Sequence, residues 1–394
     1  MKKFFIWILL VLTLTGCRST DPTDTPTIQD THEEETTVEA TTDPETTAPE
    51  PASVTISMVG DVLLHETVTD SGRMADGSYK YDHLFQNVRE EIEAADIAIV
   101  NQEVILGGRE LGLSGYPNFN GAFEVGDAIA AAGFDVVLHA TNHALDKKEA
   151  GLKNCLEFWR TSHPEIAVLG IYDNAEDRDT VYVQEVNGIR IAILNYTYGT
   201  NGMTLPDGSV YSVNMLEESQ VRADIAKAKA QADFIIVAPH WGTEYILEPD
   251  AFQKNWTQIF YECGVDLVIG THPHVIEPVE MITGEKGDML VYYSLGNFIN
   301  ATAETGSGIA NRVVGAMAQV TVTMDAQGTA HIPDYSVLPL VTHVRTGPGQ
   351  ITTYKLSDYT QALAEENEIR ESDPSFSLEY CQNLCRQVFG DLYS

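Results

Sequence analysis

The amino-acid sequence predicts a mixed-sheet α/β fold on three observations. Short apolar runs alternate with amphipathic stretches between residues 54 and 294; hairpin turns at Asn187-Gly188 and Gly284-Glu285-Lys286-Gly287 interrupt that alternation; beyond Arg312 the pattern becomes β-like. Repeated β-α-β units place strands parallel, and the hairpins add antiparallel partners, which excludes a purely parallel sheet.

In chain order, apolar runs predict strands at 54–59, 96–100, 134–138, 166–169, 189–195, 234–238, 267–269 and 289–294. Amphipathic spacing predicts helices at 83–95, 125–132, 147–160, 215–231 and 251–263. The stretches "RVVGAMAQVTVTMD" and "AHIPDYSVLPL" predict a β-rich edge that closes the domain, and 353–394 is expected to be helical. The folded body is therefore read as one large domain over 53–352 with a C-terminal helical extension over 353–394.

The N-terminus has its own logic. Met1-Lys2-Lys3 is basic, residues 4–13 are apolar but too few for a comfortable membrane span, and Leu14-Thr15-Gly16-Cys17 follows. Residues 1–17 resemble a bacterial lipoprotein signal with its lipobox. The resemblance implies lipidation of Cys17 and export, with the protein anchored at the outer face of the cytoplasmic membrane. Residues 18–52 are rich in Thr, Pro, Asp and Glu and bury too little apolar surface to offset the entropy of ordering, so a disordered tether is expected.

The chain carries a net charge of −35, of which the tether contributes −9 and residues 1–17 contribute +2, leaving −28 on the body. Phosphate-backbone and anionic-lipid surfaces need clustered Lys and Arg, so no nucleic-acid partner is expected. An anionic ligand must be met locally, by a metal or a few cations. Cys155, Cys263, Cys381 and Cys385 show none of the paired spacings of a zinc knuckle and are expected to be unpaired thiols.

Five apolar runs end in polar side chains. Asp61 ends "TISMVGD", Asn101 and Glu103 end "DIAIVNQE", Asn142 and His143 end "FDVVLHATNH", His240 ends "DFIIVAPH", and His272 and His274 end "DLVIGTHPH". Ligands of open α/β sheets gather outside the carboxyl ends of the strands, so five ends on parallel neighbours are expected to converge on one crevice. Imidazole, carboxylate and amide oxygen form a mixed N/O set that suits Zn, Mn or Fe, whereas calcium or magnesium favours oxygen alone. Asp61, Glu103, Asn142, His240, His272 and His274 exceed the needs of one tetrahedral ion, so two divalent transition-metal ions bridged by a carboxylate are expected. In "GTHPHVIEP", Pro273 restricts the local backbone, and an irregular chain there can turn both imidazoles toward one point.

Six blocks, "MVGDVLLH", "VNQEVIL", "ATNHALD", "PHWGTEY", "IGTHPHVIEPVE" and "YYSLGNFI", resemble in order and spacing the motifs of bacterial capsule-synthesis proteins of the CapA type, associated with poly-γ-glutamate. That family is related to calcineurin-like metallophosphoesterases. The resemblance implies a two-sheet β-sandwich flanked by helices, with a dimetal site at the strand ends. It also implies that Asp61 holds one ion, that Glu103 bridges where phosphoesterases have Asp, that Asn142 binds the second ion, and that His240, His272 and His274 complete the shells. His143 resembles the general acid beside the leaving group. Two departures stand out. The histidine usual two residues after Asp61 is Leu63, leaving His65 as a substitute ligand or a mere capping residue; the acid usual directly after the catalytic histidine is Ala144, leaving Asp146 to orient His143.

Around these blocks, Trp241 and Tyr245 are read either as pocket wall or as core, Glu244 as a partner of a metal-bound histidine or a solvated acid, and Asn297 as a substrate contact or a turn residue beside Gly296. His139, His163, His331 and His343 are expected to be structural or exposed. Three functions follow: a surface-anchored dimetal hydrolase of a phosphoester or a γ-glutamyl amide; a non-catalytic accessory of capsule synthesis or export that binds an anionic polymer such as poly-γ-glutamate; and a solute-binding lipoprotein, which has no need of convergent ligands.

Overall fold

Ser53–Val62 (β1) shows how the sequence sends a strand inward. Thr55 is exposed, but the seven residues from Ile56 to Val62 are all buried, so the carboxyl end of the strand lies inside the protein. The computed structural model describes residues 52–393; the signal-like segment with Cys17 and the tether up to Pro51 lie outside the described residues.

After β1 come Ile97–Asn101 (β2), Val136–Leu138 (β3) and Ala167–Leu169 (β4), parallel neighbours in that spatial order. Ile171–Tyr172 (β5) leaves this sheet. Val183–Val186 (β6) and Ile189–Thr197 (β7) form a hairpin around Asn187 and Gly188, whose φ values of 52° and 81° suit the tight turn expected there. Ser212–Val213 (β8) pairs with β5. Phe234–His240 (β9) and Leu267–Ile269 (β10) run parallel to β7, and the second expected hairpin is Val279–Gly284 (β11) with Gly287–Tyr292 (β12). Asn297–Ile299 (β13) returns to lie parallel to β1; Val314–Met324 (β14), Ala330–His343 (β15) and Thr352–Lys355 (β16) then close that sheet antiparallel.

Two large sheets result, one of eight strands in the order β16-β15-β14-β1-β2-β3-β4 with β13 on β1, and one of six in the order β11-β12-β10-β9-β7-β6. The alternation along β7 shows how they stack. Ile189, Ile191 and Ile193 join the core shared with the eight-stranded sheet, whereas Ala192, Leu194 and Tyr196 join a second core with Val221 and Ile225 of helix Glu218–Lys229 and Trp256 and Phe260 of helix Ala251–Cys263. One face of the six-stranded sheet thus packs on the other sheet and the opposite face on helices, the sandwich that the resemblance implied.

Helix Ala251–Cys263 has the bounds read from the sequence, because Asp250 and Gln253 form a reciprocal capping box at one end and Gly264, at φ 73°, stops the other. Two expectations need correction. Residues 83–95 are not one helix but a 3-10 turn, Asp82–Leu84, followed by helix Arg89–Glu93; between them the short amide of Asn87 donates to Thr352 Oγ1 at 3.0 Å. The segment from Thr353 does not begin helical: Thr352, Thr353 and Tyr354 are strand formers and pair with the otherwise open edge of β15. Helices Gln361–Glu366, Ile369–Ser372 and Leu378–Phe389 follow it. Cys155, Cys263, Cys381 and Cys385 are all free.

One buried acid makes a stability prediction. Glu277 accepts a hydrogen bond from Gln253 Nε2 at 2.5 Å, while its Oε1 is buried without a partner among the described residues, and burial pushes its pKa up to about 8. A carboxyl raised above its unfolded value binds its proton more tightly in the folded state, so stability falls as pH climbs from about 4.5 through 8. Glu277→Gln keeps the shape without the charge. It is expected to match the parent at pH 4–5 and to exceed it by roughly 1–3 kcal/mol at pH 8–9; denaturant melts at the two pH values that show equal losses would refute this.

Candidate metal centre

The carboxyl ends of β1, β2, β9 and β10 and the loop after β3 meet between the two sheets. This differs from the sequence reading in one respect: the five polar ends are not neighbours in one sheet, because β1, β2 and β3 belong to the eight-stranded sheet and β9 and β10 to the six-stranded one. Register puts Asp61 beside Asn101 on one side and Asn297 on the other. Asn101 Nδ2 donates to Asp61 Oδ1 at 2.7 Å, and the backbone N–H of His272 donates to Asp61 Oδ2 at 3.2 Å. His274 Nδ1 lies 3.4 Å from Asp61 Oδ2.

Glu103 sits two residues beyond β2, fully buried, with both carboxylate oxygens unpartnered among the described residues. Its Oε1 is 3.6 Å from His274 Nε2, 3.8 Å from His240 Nε2 and 4.0 Å from His143 Nε2. His240 Nε2 is 2.9 Å from Asn142 Oδ1, and its Nδ1 is 3.0 Å from Thr271 Oγ1, a partner that orients the ring.

His272 and His274 converge because both adopt the left-handed region, at φ 102° and 58°. That conformation costs a non-glycine residue of order 1–3 kcal/mol and needs support from its surroundings. Support is visible: the Tyr245 N–H donates to the carbonyl of Pro273 at 2.7 Å, and Asn297 Nδ2 donates to the carbonyl of His274 at 3.1 Å. Gly270, just before this segment, has no room for a side chain, since a Cβ would run into the Tyr293 carbonyl and the Trp241 indole nitrogen.

Burial and the neighbouring imidazoles hold His240 and His272 well below the usual histidine range, which keeps them neutral and ready to donate a lone pair. Glu103 is pushed well up by burial, in spite of His274. Burial alone would lower His274 as well, but the carboxylates of Glu103 and Asp61 outweigh it and raise the imidazole to about 9. The donor set fits a divalent cation. Ligand atoms of Glu103, His272 and His274 lie within 4.8 Å of one another, and nitrogens 3.6–4.0 Å from an unpartnered carboxylate are too distant for hydrogen bonds but span an ion with bonds of about 2.0–2.2 Å.

A cavity of about 450 Å³ opens over this cluster, with Asn142, His143 and His274 in its wall beside Phe119, Glu244 and Arg312. The His143 ring is held chiefly by Asp146 and Phe119: its Nδ1 lies 2.7 Å from Asp146 Oδ2, and the Phe119 ring stands edge-on at 4.6 Å. Asp146 is fixed in turn by the Phe119 backbone N–H at 2.6 Å. A second crevice, of about 500 Å³ around Trp159, Ile166 and Tyr182, shares none of these groups; it is mainly apolar, and among the described residues no histidine lines it.

Not every candidate read from the sequence joins the site in the role expected. Trp241 is core, fully buried, with its indole N–H donated to the Tyr293 carbonyl at 2.9 Å. Asn297 lies in β13 and is buried, and its amide bonds His274 and the carbonyl of Arg312, the latter at 2.9 Å. Glu244 and Tyr245 do line the cavity. His65 lines it too, packed edge-on against Phe119 and lowered by burial to about 4, and it is absent from the Glu103, His272, His274 group. His139 is structural, accepting from Trp159 Nε1 at 3.0 Å. Sequence reasoning missed Arg312, Asn201 and Tyr198. Tyr198 packs on His272 at 4.5 Å, and Asn201 lies 3.4 Å from Asn142, but both sit in an irregular loop with no pattern to flag them.

The model of the family "Bacterial capsule synthesis protein PGA_cap" matches residues 55–302. The chain is 32% identical over 173 residues to the PGA biosynthesis protein CapA of Bacillus subtilis (strain 168), covering 42% of each chain. It is 28% identical over 259 residues to the capsule biosynthesis protein CapA of Bacillus anthracis, covering 64% of this chain and 60% of that one. Both matches span less than two thirds of the relative's length. Among solved structures, the chain is similar to the calcineurin-like phosphoesterase YfkN from Bacillus subtilis, with a TM-score of 0.41 and 13% identity over 84% of this chain and 99% of that one. Since the family match takes in more than half of the chain and every donor of the cluster, the chain belongs to the bacterial capsule synthesis protein family PGA_cap.

Proposed function

We propose that this protein is a metal-dependent hydrolase of capsule biosynthesis that cleaves a phosphoester or γ-glutamyl amide bond in an anionic substrate. The observation that carries the proposal is the buried carboxylate of Glu103, without a hydrogen-bond partner among the described residues and facing three imidazoles, two of which, His143 and His274, line the cavity. Glu103, Asn142, His240, His272, His274 and Asp61 are the residues that would hold two divalent ions of the Mn, Fe or Zn type. Bound there, the ions supply Lewis acidity that polarises the scissile bond and activates water.

The chain's own residues do the rest. Asp146 accepts the Nδ1 proton of His143 and fixes the ring, so that Nε2 faces the cavity and can hand a proton to the departing group. Asn101, Thr271 and Asn297 hold Asp61, His240 and His274 in place through hydrogen bonds. A non-catalytic accessory that binds polymer is the second reading, and one observation favours it: Leu63 presents an apolar side chain to the cavity, and both oxygens of Asp61 are already occupied as acceptors.

The two readings separate on one purified sample, by elemental analysis followed by a screen of phosphoester and γ-glutamyl substrates. Bound transition metal with turnover supports the hydrolase; metal-replete, folded protein that turns over neither class removes it. We also propose that lipidation at Cys17 anchors the protein outside the cytoplasmic membrane, on the strength of the lipobox-like segment. Cys17→Ser is then expected to move the protein from the membrane to the soluble exported fraction. Unmodified precursor recovered from the cytosol of the wild-type host would contradict the anchor.

A further inference from the structure

A body carrying −28 repels an anionic substrate at long range, so recognition has to be local. Among the described residues, Arg312 is the one Arg or Lys that lines the cavity. Its side chain is 11% exposed, its guanidinium carbon lies 3.5 Å from the centroid of the Tyr245 ring, and Nη1 donates to Glu304 Oε2 at 2.6 Å. Nε is buried and has no acceptor among the described residues. Stacking on Tyr245 sets the plane of the guanidinium before any ligand arrives, which lowers the entropy lost on binding a flat, two-oxygen partner.

Glu304 is placed differently. Its side chain is 60% exposed, and it belongs to a stretch, residues 300–308, with neither helix nor strand and with Gly306 and Gly308 at positive φ. A half-free carboxylate on an irregular segment gives up a partner cheaply, because a partly exposed ion pair contributes little to stability. Arg312 and Glu304 both lie beyond the segment that matches the family.

We propose that Arg312 receives an oxyanion of the substrate, a carboxylate or phosphate group away from the bond that is cleaved, and that Glu304 occupies this subsite as an internal competitor until the ligand displaces it. The proposal rests on the reading of the cavity as a substrate site. It assigns opposite signs to the two partners of one ion pair: removing the cation weakens binding, and removing the anion strengthens it.

The test is calorimetric titration of the manganese-loaded full-length protein with inorganic phosphate and, separately, with γ-glutamyl-glutamate. Arg312→Met is expected to weaken binding of the accepted probe about tenfold or more, and Arg312→Lys to restore only part of the loss, since an ammonium cannot make the paired contact. Glu304→Gln is expected to tighten binding by roughly threefold, the scale of an exposed ion pair. A response to one probe alone identifies the oxyanion as phosphate or carboxylate. Unchanged affinity in folded Arg312→Met overturns the proposal, as do weaker binding in Glu304→Gln and failure of both probes to bind the parent protein at millimolar concentration. Arg312-dependent binding with no turnover of any phosphoester or γ-glutamyl substrate keeps this inference and removes the hydrolase reading. Turnover whose KM and kcat ignore Arg312→Met does the reverse.

Discussion

Glu103→Ala is expected to yield a folded protein that has lost nearly all of its transition metal. Nitrogens of His240 and His274 lie 3.8 and 3.6 Å from one Glu103 oxygen, and Glu103, His272 and His274 offer ligand atoms within 4.8 Å of one another, so this single carboxylate adjoins all three imidazoles of the donor set. If two ions bind as proposed, Glu103 would serve both, whereas His240 would serve one. His240→Ala is therefore expected to retain more metal than Glu103→Ala, and the loss in the latter is expected to exceed the 10–100-fold typical of removing an outer partner. Elemental analysis after dialysis against limiting manganese measures it; equal retention in the two variants would remove the bridging role. Folding should survive, because burial opposes the charge of this carboxylate and neither oxygen accepts a hydrogen bond among the described residues, so that the weak pairing with His274 is the main interaction lost. Metal uptake should also depend on pH. His274 must lose the proton that Glu103 and Asp61 help it keep up to about pH 9, so binding releases protons and affinity is expected to fall as pH drops.

The second large effect belongs to His143. Its Nε2 looks across 4.0 Å at Glu103, while Nδ1 is tied to Asp146 at 2.7 Å, an arrangement that leaves one nitrogen facing the cavity and the other committed to the protein. If the protein is a hydrolase, His143→Ala is expected to leave metal content and thermal stability nearly intact while turnover falls by roughly 10²-fold or more, the usual scale for losing a general acid. Asp146→Asn should follow it in direction with a smaller effect, because the ring stays but its tautomer and orientation are less well held. The accessory reading expects metal and polymer binding to survive both changes with capsule phenotype intact. Loss of metal from His143→Ala would make the residue a ligand and would reassign the whole "ATNHALD" segment.

Both predictions concern residues that a reader of the sequence could name, and the reason is local. An apolar run followed at once by a carboxylate, amide or imidazole marks a strand end that carries chemistry, and Asp61, Glu103, Asn142, His143, His240, His272 and His274 all announce themselves in that way. Strands β1, β2, β3, β4, β7, β9, β10 and β12 were legible for the same reason, as was helix Ala251–Cys263, whose cap residues adjoin it in sequence. The interrupted helix at 83–95 was not, because the group that competes there, Thr352, is far away in the chain.

Sequence alone therefore determined the inventory of the site: which donors exist, that they sit at strand ends, and that the body around them is too acidic to attract an anion by its overall field. Only the tertiary structure decided how they are used. It split the five strand ends between two sheets, turned His272 and His274 inward through left-handed backbone held by Tyr245 and Asn297, sent Trp241 into the core, and laid Arg312 on Tyr245 over the cavity. Donor identity and strand pattern are properties of a few consecutive residues, written locally. Sheet order, the support of strained backbone and the meeting of Arg312 with Tyr245 depend on contacts between segments tens of residues apart, which exist only once loop closure has been offset by burial of the shared core.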